Sequence, residues 1–333
     1  MTTTRRLLIL AICFLPFVAA CDPDAAVEIE SFQPLETQTS SRSWSSKSFA
    51  GQQIDSTRYR LYTTAENYGL VRRMPGFMEA ANDQYRRLTG LQPEEYQQKL
   101  PIYLMATRRQ WASLTRRAVG RDLPIAAGGY CYKGVCVFWD IGSYNTFSVA
   151  AHEGLHQFLY HHLEDPLPMA LEEGLATISE GYEIRQEGVR FTPDKNSRRY
   201  TDLRAAIINR HWKSLDTLLY LNSEEANQGS QQESLSYYGQ VWALMDFIQT
   251  DPGRKAAFHR LLQDAAAGKL HETVGLSRRQ FQALKKNQRQ YNRRVSRVLF
   301  VHYFGDDLET FEREYTRHAR KLGGIVQTPS VNR

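Results

Sequence analysis

The chain has 333 residues, 42% of them hydrophobic and 23% charged, so it has the material for a sizeable core and is not a disordered polymer. Its 42 Lys and Arg against 36 Asp and Glu give a formal charge of +6, a mild excess that leaves no footprint for nucleic acid. Four cysteines over this length exclude a small disulfide scaffold, and the only long apolar run is N-terminal, which excludes a polytopic membrane protein.

Arg5 and Arg6 precede an apolar run of 14 residues, Leu7 to Ala20. That run is too short to span a bilayer and suits the h-region of a secretory signal. Val18-Ala19-Ala20-Cys21 then places small residues before a cysteine and resembles a bacterial lipobox. The resemblance implies a lipoprotein signal peptide over residues 1–20, cleavage before Cys21 and lipidation of Cys21. The expected location is the bacterial cell envelope, lipid-anchored to a bilayer and facing the periplasm or the exterior. Residues 21–50 are rich in Ser, Thr and Gln and read as a flexible tether.

Beyond the tether the pattern becomes regular. Arg58 to Thr64 alternates β-favouring residues and predicts a strand. Phe77, Ala80, Ala81, Tyr85 and Leu88 recur at helical spacing, which predicts a helix from Met74 to Leu88. Pro101 to Ala106 is a short apolar strand, Arg109 to Val119 a second helix, and Gly128-Gly129 opens a hairpin from Tyr130 to Trp139. Cys131 and Cys136 flank a turn at Gly134, and in an oxidising compartment they are expected to form a disulfide. A metal site on that pair is disfavoured, because no second cysteine pair completes it. Helical patterns dominate after about residue 145. An α+β fold is expected, with an N-terminal α/β subdomain over 51–145, including the edge hairpin, and a helical subdomain over 146–325.

His152-Glu153-Gly154-Leu155-His156 is an HExxH pattern inside the apolar segment Phe147 to Leu163. On a helix, residues four apart differ by about 40° in direction and about 6 Å in rise. Both imidazoles can therefore meet one ion, with Glu153 beside them to take a proton from an activated water. A hydrolytic zinc site wants a third protein ligand and one open position. His162 has the spacing of a longer HExxHxxGxxH motif, but Leu159 stands where that motif needs glycine. In a continuous helix His162 lies about 15 Å along the axis from His152 and cannot share its ion. His161 and His162 read instead as helix-end residues favoured by the dipole. Downstream, Asp165-Pro166 and Pro168 reverse the chain before Met169-Ala-Leu-Glu-Glu-Gly-Leu-Ala starts a second helix. Glu172 and Glu173 both lie there, and since they point about 100° apart only one can serve.

HExxH followed by proline and then a Leu-x-Glu-Gly-Leu-Ala helix resembles the gluzincins, the thermolysin-like (peptidase MA) zinc metallopeptidases. The resemblance implies a thermolysin-like zincin with a small N-terminal β-sheet and a mainly helical C-terminal part. It also implies Zn2+ on His152, His156 and Glu173, the glutamate directly before the glycine, with Glu172 as the alternative. In that clan a carboxylate further along the helix orients a ligand histidine. The thermolysin position is Thr177 here, a departure for which Glu180 could compensate. The Gly128–Trp139 stretch resembles the clan's edge strand, which binds a peptide by β-addition. Ser236 to Leu244 resembles its Tyr-x-x-Gly/Ser-x-x-x-Leu helix, which implies Tyr238 as the donor to the oxyanion. Packing of Tyr237 and Tyr238 at a helix start is the plainer alternative. The match runs from about Tyr59 to Leu322 and is similar to a bacterial domain-of-unknown-function family of inferred peptidases.

Arg278 to Arg297 holds eight Lys and Arg and no acid, interleaved with Phe281, Leu284, Tyr291 and Val298 at helical spacing. It reads as a solvated helical face, with contact to anionic lipid as an alternative. Together these features predict a membrane-anchored zinc peptidase. Its partners would be a peptide or protein substrate of the envelope and the bilayer at Cys21, with no nucleic acid. A non-catalytic binding module on the same fold, or a zinc amidase acting on cell-wall peptide, are the other readings; retention of Glu153 favours catalysis.

Overall fold

Pairing of backbone groups begins earlier than the Ser-rich composition announces. In the computed structural model, which describes residues 31–46, 49–92, 96–120, 128–221, 225–226 and 229–325, strand β1 (Ser40–Ser46) lies antiparallel to β2 (Phe49–Asp55) along its whole length. The tether expected over 21–50 is thereby corrected for its second half. β1 is a sheet edge and is exposed almost throughout, so its side chains needed no apolar alternation. Upstream of it, Gln33 exchanges backbone hydrogen bonds with Val189 at 2.7 and 2.8 Å, and Leu35 is buried. Two glycines admit this segment: a Cβ would fall 1.9 Å from the Gln33 carbonyl oxygen at Gly188 and 2.0 Å from that of Leu35 at Gly76. Residues 1–30, with Cys21 and the signal-like run, lie outside the described residues.

The sheet has six strands in the order β1-β2-β3-β4-β6-β5, adding β3 (Tyr59–Thr63), β4 (Leu100–Met105), β5 (Gly129–Tyr132) and β6 (Val135–Trp139). β3, β4 and β6 run parallel, and the other neighbours are antiparallel. Helix α1 (Tyr68–Thr89) crosses between β3 and β4, and α2 (Arg108–Val119) follows β4. Alternation along β4 and β6 sends Leu100, Ile102, Leu104, Cys136 and Phe138 into the main core, where α1 and α3 (Ser143–His162) also bury their stripes. Met105 and Val137 point the other way and meet Trp111 of α2.

The C-terminal half is helical apart from one hairpin, β7 (Tyr182–Arg185) with β8 (Gly188–Phe191), which the helical patterning hid. Its helices are α4 (Met169–Ser179), α5 (Ser197–Ile208), α6 (Leu215–Tyr220), α7 (Gln231–Gln249) and α8 (Pro252–Ala266). They continue with α9 (Leu270–Thr273), α10 (Arg278–Lys285), α11 (Gln288–Tyr291), α12 (Arg297–Phe304) and α13 (Leu308–Leu322). From Phe32 onward the chain is one compact unit, so residue 145 marks a change of patterning and not a break between bodies. The class is mixed α+β. No helix among the described residues is long and apolar enough to cross a membrane.

Glycines set how closely the central helices approach. A Cβ at Gly154 would fall 2.5 Å from the Tyr85 hydroxyl of α1, and one at Gly174 would fall 2.9 Å from the Val241 carbonyl oxygen of α7. The basic stretch does more than present a solvated face. Phe281, Leu284 and Tyr291 are buried, as is Asn292, which opens a π-helical turn (Asn292–Ser296). Val298, read as part of the apolar stripe, is 45% exposed and is not core. Asn292 accepts a hydrogen bond from the Met169 amide at 3.3 Å, which supplies α4 with the N-terminal acceptor that Pro168 cannot offer. Tyr291 donates to the Pro166 carbonyl and Lys285 pairs with Asp165 at 3.1 Å, so the loop between α3 and α4 is clasped from the C-terminal side.

Candidate metal and catalytic site

α3 runs unbroken to His162, so His152 and His156 share a face one turn apart and His162 lies further down the axis, away from them. α4 crosses beside that face, with Gly174 allowing it to sit close on α7, and this brings Glu173 against both imidazoles. Glu173 Oε2 is 3.4 Å from His152 Nε2 and 3.8 Å from His156 Nε2, and the two Nε2 atoms are 3.3 Å apart. One ligand atom from each of the three side chains lies within 4.8 Å of the other two.

The outer nitrogens decide what the inner ones do. His152 Nδ1 is 2.8 Å from Glu180 Oε1, and His156 Nδ1 is 2.8 Å from Glu172 Oε1. An ionised carboxylate only accepts, so each Nδ1 must be the N–H donor, which leaves the Nε2 lone pairs facing inward. Two lone pairs and a carboxylate oxygen then converge with no donor among them. Glu173 Oε2 is buried and has no hydrogen-bond partner among the described residues. Such a cluster is satisfied only by a positive charge at its centre, whether protons or a divalent cation. Without a cation, burial disfavours charge on His152, but the carboxylates of Glu173 and Glu180 outweigh it and hold its pKa at about 9. His156 is raised likewise by Glu172 and Glu173 against the cost of burial. Burial would raise the Glu173 carboxyl, and the two histidines pull it well below the usual range. The donor set, two neutral imidazoles and one carboxylate backed by hydrogen-bonded carboxylates, fits zinc.

Of the two adjacent glutamates, Glu173 faces the inner nitrogens and Glu172 turns to His156 Nδ1. Glu180 takes the orienting position for His152, while the Thr177 hydroxyl bonds back to the Gly174 carbonyl at 2.8 Å within its own helix. The support that Glu172 gives His156 and the residues that hold Glu180 have no local sequence signal. They are Arg199, at 2.6 and 2.8 Å, and Asn196, at 3.1 Å, which sit 19 and 16 residues further along the chain. Burial would raise Glu180, but Arg199 and His152 bring it down to about 2.

Glu153 neighbours both imidazoles and lines the same cleft as Cys131 of β5. Burial raises its pKa, only partly offset by the two histidines. β5 is the outer strand of the sheet and packs on α3. A Cβ at Gly128 or Gly129 would fall 2.9 or 2.7 Å from the Val149 side chain, so the glycine pair sets that approach. Cys131 and Cys136 are register partners, yet they are two free thiols, which corrects the expected disulfide. The Cys136 thiol is buried in the core and donates to the Glu153 carbonyl at 3.2 Å instead.

Tyr238 borders the cleft with its ring centroid 6.3 Å from that of His152, whereas Tyr237 is fully buried behind it. The cleft itself holds about 600 Å³, lined by Tyr130 and Cys131 of β5, the three acceptor residues, Glu153 and Tyr238, with Lys285 and Gln288 on the far wall. His161 and His162 stand apart from it. Burial, then the neighbouring His161 and Arg86, lowers His162 to about 4. His162 does end the helix as expected, but its ring lies 2.8 Å from the Tyr96 hydroxyl and against Phe158, surroundings that disfavour the protonated form a helix dipole would favour. Comparison with family models, with curated proteins and with solved structures finds no match to this chain.

Proposed function

We propose that this chain is a zinc metallopeptidase of the gluzincin kind, held in the bacterial cell envelope by lipid on Cys21. The observation that carries the reading is the convergence of His152 Nε2, His156 Nε2 and Glu173 Oε2, each imidazole backed by its own carboxylate, beside a half-buried Glu153 that lines the cleft. His152, His156 and Glu173 would hold Zn2+, which when bound acidifies water and polarises a carbonyl. Glu153 takes the proton from the attacking water and passes it to the departing amine. The open edge of β5 offers backbone groups to an extended peptide, and the Tyr238 hydroxyl supplies an uncharged donor to the developing oxyanion.

Metal analysis joined to an unbiased peptide-library digest tests the reading. Purified chain is expected to carry one zinc and to cleave, and Glu153→Gln to keep the zinc and lose cleavage. Cleavage retained by Glu153→Gln, or wild type without metal, would overturn it. For the anchor, Cys21→Ala is expected to move the protein from the membrane pellet to the soluble fraction on cell fractionation.

A further inference from the structure

One buried cation touches two of these groups at once, and it belongs to neither helix that carries the acceptors. Arg199 stands in the first turn of α5 with its side chain 7% exposed. Its guanidinium grips Glu180 with both prongs, Nη2 to Oε1 at 2.6 Å and Nε to Oε2 at 2.8 Å. Nη1 reaches Asp202 at 3.1 Å. Its Cζ lies over the Tyr238 ring, 5.0 Å from the centroid. Asn196 fixes the start of this turn: its side chain accepts from the Arg199 amide at 3.2 Å and donates to Glu180 Oε2 at 3.1 Å.

We propose that Arg199 is a positioning residue that holds the His152 imidazole, through Glu180, and the Tyr238 ring as one unit. The proposal rests on the metallopeptidase reading above. Without Arg199, Glu180 keeps one single-point contact on each oxygen, His152 Nδ1–H on Oε1 and the Asn196 amide on Oε2. The two-pronged grip fixes the carboxylate plane and keeps Oε1 aimed at Nδ1. The same planar group lies over a phenol. Lysine would neutralise Glu180 equally but bonds as a single point and cannot lie flat on the ring. Charge balance alone therefore predicts that lysine substitutes, and positioning predicts that it does not.

The test uses the full chain after signal removal, with zinc affinity from chelator competition and the visible spectrum of the Co2+-loaded protein. Arg199→Lys is expected to weaken zinc binding about 10- to 100-fold and to change the cobalt bands, the effect typical of residues behind a ligand. Because Arg199 acts through Glu180, the double variant with Glu180→Gln is expected to bind zinc no more weakly than Glu180→Gln alone. A crystal structure of Arg199→Lys is expected to show the Tyr238 ring turned from its place. Wild-type affinity and spectrum in Arg199→Lys, or additive losses in the double variant, would refute the positioning role alone. Absence of zinc from the wild type would refute the ligand assignment and this role with it. Should Arg199→Lys not fold, Glu180→Gln still decides: an unchanged cobalt spectrum there excludes any influence of Arg199 on His152.

Discussion

Helix α3 carries two pairs of histidines whose fates diverge within three turns. His152 and His156 each direct one nitrogen to a carboxylate and the other toward a shared centre. His161 and His162 sit at the helix end among Tyr96, Tyr160 and Phe158, where burial holds both below the usual imidazole range. Residue type, helix and compartment are common to both pairs, so the partners make the difference. Carboxylates behind an imidazole fix its outer nitrogen and leave the other facing the shared centre; aromatic rings and a phenol around the helix-end pair only disfavour its protonated form.

The strongest way to break this contrast is to remove one acceptor. Glu173→Ala is expected to lose the zinc that wild type retains through dialysis, while His162→Gln keeps one zinc per chain; equal zinc content in the two by elemental analysis would erase the distinction. Next in size are the supports. Glu180→Gln is expected to weaken zinc binding about 10- to 100-fold in chelator competition. Glu172→Gln should lie at or below the bottom of that range, because Glu172 is 22% exposed and water can replace it, whereas Glu180 is 4% exposed. The smallest effect concerns acid stability. His162 has its folded pKa depressed to about 4, so on acidification the unfolded chain binds the proton first, near pH 6.5. Folded stability is then lost as pH falls from about 6.5 to about 4 and is present in full above that window. Denaturation midpoints across this range should fall less steeply in His162→Gln than in wild type.

The paired histidines were legible from the four-residue repeat of HExxH, and Glu173 only through the gluzincin resemblance, since helix geometry left Glu172 and Glu173 as alternatives. The predicted helices and the Tyr130–Trp139 hairpin were legible from apolar periodicity, although α1 begins six residues earlier, at Tyr68, than its apolar repeat announces. β1 was not, because a solvated sheet edge makes no demand for alternation, and its stabilising partner is the backbone of β2. Glu172 was visible only as a competitor for the centre; that it faces the opposite nitrogen of His156 depends on how α4 crosses α3. Arg199 was invisible for the same reason, since its link to Glu180 passes through the β7–β8 hairpin and the turn that follows. The thiols show the reverse limit. Register placed them opposite one another as the turn predicted, yet they are two separate thiols, with Cys136 meeting the Glu153 carbonyl.

The clasp on the α3–α4 loop carries a consequence for biogenesis. Asn292 meets Met169 across 123 residues of sequence, and Tyr291 meets Pro166 across 125. A polypeptide that emerges N-terminus first therefore displays both imidazoles and Glu173 well before the segment that seats their second helix exists. On the proposed zinc reading, a product clipped ahead of residue 291 would keep His152, His156 and Glu173 with their carboxylate supports while losing the contacts to Met169 and Pro166 that clasp the loop before α4.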